Sequence, residues 1–183
     1  MHVPTRIATT AALIGFLGSG IQAGILMDDG TPNASYANLQ LWLRADAGLY
    51  EDFGMTDPVE YEGDLVKVWA NQANTTVADA IQGVDVSPQA VSTTYFGNPA
   101  NAVRFNGSTT GLDVADHDDL DPGTGGLTVI VAGKQNTATY ANFWYGKGNA
   151  SSGNVGYGMY GNTSNTFFAR VRGSTLGEST RTA

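Results

Sequence analysis

Five aspartates, Asp113, Asp116, Asp118, Asp119 and Asp121, fall within nine residues, with His117 among them. Ca2+ takes six to eight hard oxygen ligands at about 2.3–2.6 Å, and a loop rich in Asp can supply several of them. Asp113, Asp116 and Asp118 are therefore the candidate metal ligands, and Ca2+ is the cofactor their chemistry suits. The spacing is not that of an EF-hand, which needs a central Gly and a terminal Glu. A complete shell would draw on another loop, for instance Asn71 or Asn106. The simpler account is a solvated acidic loop that turns at Asp121-Pro122-Gly123.

A second group has the composition of a sugar-binding surface. Sugar rings stack on aromatic faces, while Asn, Asp and Arg bond their hydroxyls. If Phe143 and Tyr145 face a core, alternation turns Trp144 outward. By the same rule Tyr160 lies opposite Tyr157 and Met159, and Arg170 and Arg172 lie opposite Ala169 and Val171. Trp144, Tyr160, Arg170 and Arg172 are the candidate ligand-binding residues of one groove. Ordinary core and edge packing is the simpler account, and Trp42 and Trp69 are read as packing residues.

Catalysis finds no such support. A retaining glycosidase needs two carboxyl groups about 5 Å apart. The chain has four glutamates, Glu51, Glu60, Glu62 and Glu178. Glu60 and Glu62 could share a strand face, but they stand in the loop-like stretch from Pro58 to Asp64. A Ser-His-Asp device needs a histidine, and only His117 lies beyond the first few residues. No Gly-x-Ser-x-Gly elbow and no phosphate-cradling Gly-x-x-x-x-Gly-Lys-Ser/Thr occurs. The expectation is a protein that is not an enzyme, with no catalytic residue assigned.

The elements that must position these groups read as strands. Leu39, Leu41 and Leu43 alternate along Leu39 to Arg44. Asp64 to Trp69, Ala102 to Gly107 and Leu112 to Val114 follow, with Asn106-Gly107 as a turn signal. Leu127 to Ala132 is the strongest strand, apolar on both faces like a covered central strand. Asn142 to Gly146, Gly156 to Tyr160 and Thr166 to Arg172 complete the series. Val84 to Val91 reads as a weak edge or loop because of Pro88. Glycine is 24 of 183 residues, which disfavours helical bundles. The pattern predicts an all-β chain of antiparallel strands, built as a two-sheet sandwich or jelly roll.

Charge and cysteine set further bounds. The net charge of -8, with only 9 Lys and Arg, excludes nucleic-acid binding through a basic surface. With no cysteine, disulfides and thiolate metal sites are excluded. Residues 1–23 carry one cation, Arg6, then the apolar run Ala11 to Leu17, then small residues ending at Ile21-Gln22-Ala23. That order is the order of a secretory signal peptide, expected as a helix and cleaved after Ala23. The mature chain has no second apolar run of membrane-spanning length. The expected organisation is a signal peptide at 1–23, a linker at 24–36, one β-sandwich domain at 37–175 and a polar tail at 176–183.

Five fragments in order carry a resemblance. They are Leu41-Trp42-Leu43-Arg44-Ala45-Asp46-Ala47-Gly48, Val68-Trp69-Ala70-Asn71-Gln72-Ala73-Asn74, Pro99 to Gly107, Leu127 to Gly133, and Tyr145-Gly146-Lys147-Gly148 with Gly156-Tyr157-Gly158-Met159-Tyr160. Together they resemble the laminin G-like domains of secreted bacterial proteins, in the concanavalin A-like lectin/glucanase superfamily. The second fragment departs from the family's W-x-D-x-S-G-N loop at Asn71 and Ala73. The glucanases' Glu-x-Asp-x-x-Glu strand has no counterpart here. The resemblance implies an antiparallel jelly roll that recognises glycans, proteins or surfaces, in some members with Ca2+. Such domains continue for several strands past the point matching Arg172. The expectation is therefore a jelly roll short of its last strands, or a shortened sandwich.

The functional expectation is a noncatalytic, exported recognition module for glycans or extracellular matrix components, secreted or held at the cell envelope within a larger protein. Two alternatives stand beside it. One is a structural or adhesive surface domain with no small ligand. The other is an ancillary module of a polysaccharide-degrading enzyme.

Overall fold

The computed structural model describes residues 14–17, 38–73, 75–83, 86–95, 98–121, 125–134, 142–147, 156–161, 167–172 and 176–181. Among them nearly all regular structure is antiparallel β, and the one helical element is a 3-10 turn at Asp118–Leu120. The all-β expectation holds. The chain divides into two compact units, one ending at Lys134 and the other starting at Gln135.

In the first unit the strands are β1 (Ile14–Leu17), β2 (Trp42–Leu43), β3 (Leu49–Tyr50), β4 (Val68–Trp69), β5 (Ala80–Gln82), β6 (Gln89–Tyr95), β7 (Asn98–Arg104), β8 (Leu112–Val114) and β9 (Thr128–Ile130). They form a sheet β2-β1-β9, a sheet β3-β4-β5-β8 and the hairpin β6-β7. The second unit is a meander of β10 (Asn142–Lys147), β11 (Gly156–Gly161), β12 (Phe167–Arg172) and β13 (Leu176–Arg181). Among the described residues no helix is long and apolar enough to cross a membrane.

The core of the first unit gathers the apolar residues that the alternation marks out. Leu39, Leu41, Trp42 and Leu43 are buried together with Val66, Val68, Trp69, Ala102 and Val103. Polar bonds fix how they meet. The Trp69 indole Nε1 donates to the Arg44 carbonyl at 2.7 Å. Arg44 in turn grips Asp46 with two bonds, Nε to Oδ1 at 2.9 Å and a terminal nitrogen to Oδ2 at 2.8 Å. That fork holds the Asp46 carboxyl below its usual range, against an opposing loss of hydration.

The excursion from Glu51 to Lys67 folds back along β3. Val59 N–H donates to Leu49 O at 3.0 Å, and Lys67 N–H to Tyr50 O at 2.9 Å. Asp52 organises its first turn by accepting from the N–H groups of Gly54, Thr56 and Asp57 and from the Thr56 hydroxyl. These donors, the Asp57 N–H foremost, lower the Asp52 carboxyl. Glu51 is raised, first by lost hydration and then by the charges of Asp64 and Asp57 beside it.

Several local expectations change. Ile14–Leu17 are an extended strand, not part of a helix. Ile, Gly and Phe are weaker helix formers than Ala or Leu, and the backbone here bonds to β2 and β9 instead. Thr128–Ile130 are not covered on both faces: Val129 is half-buried and Ile130 exposed. Val103 and Phe105 share a face by alternation, but only Val103 is fully buried; Phe105 is half-buried. Residues Leu176–Arg181, read as tail, form β13 along β12. Strict alternation at Phe143-Trp144-Tyr145 fails as well, because the β10–β11 register shifts between Phe143 and Tyr145.

Candidate functional site

The sequence of β11, Gly-Tyr-Gly-Met-Tyr-Gly, largely alternates large residues with glycine. In an antiparallel ladder, directly opposed residues share a face. The register puts Tyr145 opposite Met159, Met159 opposite Ala169, and Tyr157 opposite Val171. Those residues define one face. On it Tyr157 is buried, and its ring lies 6.5 Å from that of Tyr145 at a 52° tilt. Burial raises the Tyr145 phenol above its ordinary pKa.

The other face carries three rows. The first is Phe143, Tyr160, Phe168 and Thr180. The second is Gly146, Gly158, Arg170 and Glu178, and the third Gly156, Arg172 and Leu176. Successive rows are about 6.8 Å apart, two residues of strand rise. Tyr160, Arg170 and Arg172 thus fall on one face, as alternation predicts. The glycines add a further feature. Gly146 and Gly158 stand in the row of Arg170, and Gly156 in the row of Arg172, so those positions contribute backbone and no side chain; Gly146 is exposed and Gly158 buried. The backbone there is tightly built, since a Cβ at Gly158 would lie 2.9 Å from Tyr145 O and 3.2 Å from Gly146 Cα. Strand spacing therefore requires glycine at that position. The Gly-x-Gly alternation opposite Arg-x-Arg is the sequence signal that could have revealed this trough.

Trp144 sits at the register shift, half-buried, and the pairing does not assign it to the row of Tyr160. Its intended place on that face is taken by Phe143, because one extra residue in the bulge reverses the facing of everything before it.

The acidic candidates do not converge. Asp113 lies on β8 opposite Ile81, with its carboxylate over Gly83. Asp118 opens the 3-10 turn, whose cap is His117: Nδ1 accepts from Asp119 N–H at 3.2 Å. The other ring nitrogen of His117 is 3.2 Å from the Thr76 hydroxyl. Asp116 is exposed in the connection between them. Among the described residues no group of three or more His, Cys, Asp or Glu could hold a metal ion.

The two asparagines named as helpers are already engaged. Asn71 Oδ1 accepts from Trp42 N–H at 2.9 Å and Ala73 N–H at 3.0 Å. Its Nδ2 donates to Gln40 O at 3.1 Å and Val77 O at 3.0 Å, with the Thr75 hydroxyl at 3.3 Å. Asn106 Oδ1 accepts from the N–H groups of Ser108, Thr109 and Thr110. Both side chains are loop organisers. Comparison of the chain with protein-family models, with curated proteins and with solved structures gave no significant match.

Proposed function

We propose that this protein is a noncatalytic, exported β-sandwich recognition module that binds a glycan on the trough of the β10–β13 meander. In this reading the chain is a laminin G-like jelly roll, secreted or held at the cell envelope. The observation that carries it is the common face of Tyr160, Arg170 and Arg172, with glycines in the arginine rows. The glycine positions put backbone instead of bulky side chains beside the arginine positions. The aromatic row of Phe143, Tyr160 and Phe168 offers a stacking edge on one side. Arg170 and Arg172 supply fork-shaped donors for hydroxyl or carboxylate oxygens on the other. No pair of carboxyl groups is needed.

The test is a glycan array probed with the intact chain, followed by titration of the best saccharide against Arg172→Ala and Tyr160→Ala. Each variant should bind at least tenfold more weakly while keeping the parent melting temperature. Silence across the array, or full binding by both variants, overturns the reading.

A further inference from the structure

β1 is the middle strand of its sheet. Ile14 pairs with Leu43 and Gly15 with Trp42 on one side. On the other side Gly15 pairs with Ile130, Phe16 with Val129 and Leu17 with Thr128. Both pairings are antiparallel, so β2 and β9 run parallel to each other, separated by the width of one strand. Their backbones are about 9.5 Å apart, twice the usual inter-strand spacing, and cannot bond to each other directly. The far edge of β2 is already taken: Trp42 N–H donates to Asn71 Oδ1, and Gln72 N–H donates to Trp42 O at 2.8 Å. β2 therefore has one edge left for pairing, and the segment seated on it is Ile14-Gly15-Phe16-Leu17.

That segment is also the apolar run of the expected leader. Cleavage after Ala23 removes the middle strand and leaves two facing edges, with Leu41, Trp42 and Leu43 at their base, all buried while the strand is in place. Unpaired ladder groups on two facing edges favour capture of another strand. We propose that the space between β2 and β9 is a strand-acceptor slot. After the leader is removed, it takes an extended, uncharged apolar segment of another polypeptide. That segment runs antiparallel to both neighbours and has a small residue between Trp42 and Ile130. The chemistry is that of the strand now in place: no charge over four residues, and glycine where two large residues oppose it from both sides. The proposal rests on the export reading and not on the glycan trough. It belongs to the general mode in which an added strand is held by main-chain bonds and selected by its side chains.

The experiment uses the full chain with a protease site inserted between Ala23 and Gly24, cut after folding. The released leader should co-elute with the protein on gel filtration. A fluorescent peptide of residues 11–19, flanked by lysines for solubility, should exchange into the cut protein with one-to-one saturation. It should not bind the uncut protein, whose tethered strand competes at high effective concentration. The same peptide carrying Gly15→Pro should bind at least tenfold more weakly, since proline removes a ladder donor at the tightest position. Loss of the leader without change in melting temperature, together with no peptide binding, overturns the slot. N-terminal sequencing of the exported protein separates the two readings. A retained residue 1–23 segment overturns the cleaved leader and the slot with it. A cleaved N terminus with no peptide binding overturns the slot alone.

Discussion

Asn71 carries the most exacting polar arrangement in the first unit. Its amide must accept from two backbone N–H groups and donate to two backbone carbonyls at the same time. Aspartate, the residue the resembling loop would carry here, can accept but cannot donate while ionised. The departure from that motif thus has a structural cause: the Val77 carbonyl needs a donor, and the Gln40 carbonyl takes one beside the Thr75 hydroxyl. Asn71→Asp should lower stability by about 2 kcal/mol at pH 7, because Val77 O loses its donor, Gln40 O keeps only the Thr75 hydroxyl, and both face a charge. Urea denaturation checks this, and the deficit should shrink as acid protonates the introduced carboxyl. Nothing in residue type or spacing reveals this role. An Asn between a Trp and a Gln-Ala-Asn run looks like any loop residue until β2 is seen lying against it.

The Glu51–Lys67 excursion illustrates electrostatics at the scale of an element. Glu51, half-buried, is raised by lost hydration and by Asp64 and Asp57, whereas Asp52 and Asp46 are lowered by their donors. The signs are opposite. A raised carboxyl stabilises the fold in its protonated form, so its contribution is present in acid and lost as pH rises through its folded value. A lowered one stabilises in its ionised form, and its contribution is lost as pH falls through its folded value. Glu51→Gln should therefore raise the melting temperature at pH 7, with the gain fading as the parent is acidified through the carboxylate range. Thermal melts at a series of pH values check it. Asp52→Asn should behave in the opposite sense, costing stability near neutrality and nothing in strong acid.

Legibility from sequence also divides by element. Strands with an apolar stripe were readable: β2, β4, β8, β11 and β12 fall inside segments marked by alternation. The β6-β7 hairpin was hidden in large part. Ser92, Thr93 and Thr94 offer no stripe, and Pro99 argues against a strand, yet seven residues on each side pair in continuous register. Proline is tolerated there because a two-stranded ribbon leaves its outer N–H positions unbonded. β13 escaped for the same reason, its polar Glu178, Ser179 and Thr180 being suited to an edge. β9 was over-read. Continuous hydrophobicity is compatible with burial on both faces but does not require it, and Ile130 remains exposed. In the trough, Tyr160, Arg170 and Arg172 were found by simple alternation. Trp144 was not, because a one-residue bulge cannot be read from residue types.

For the whole molecule, 17 acids against 9 bases give a net charge of -8. Like charge opposes compaction, and added salt screens it over a Debye length of about 10 Å at 0.1 M. The melting temperature should rise on going from about 0.01 M to 0.1 M NaCl. Because Asp113, Asp116 and Asp118 do not gather, millimolar Ca2+ should give no more than NaCl of equal ionic strength, and chelator should reverse nothing. A rise specific to Ca2+ would show an ion site that the described geometry does not contain.

The three indoles are unevenly shared between the two compact units. Trp42 and Trp69 are almost wholly enclosed in the unit ending at Lys134, and Trp144 is partly open in the unit starting at Gln135. The chain consequently carries its own optical labels. With Trp144→Phe, the remaining emission reports one unit alone, and the difference from the parent signal reports the other. Whether the two melt as one or in succession can then be followed without attaching any dye.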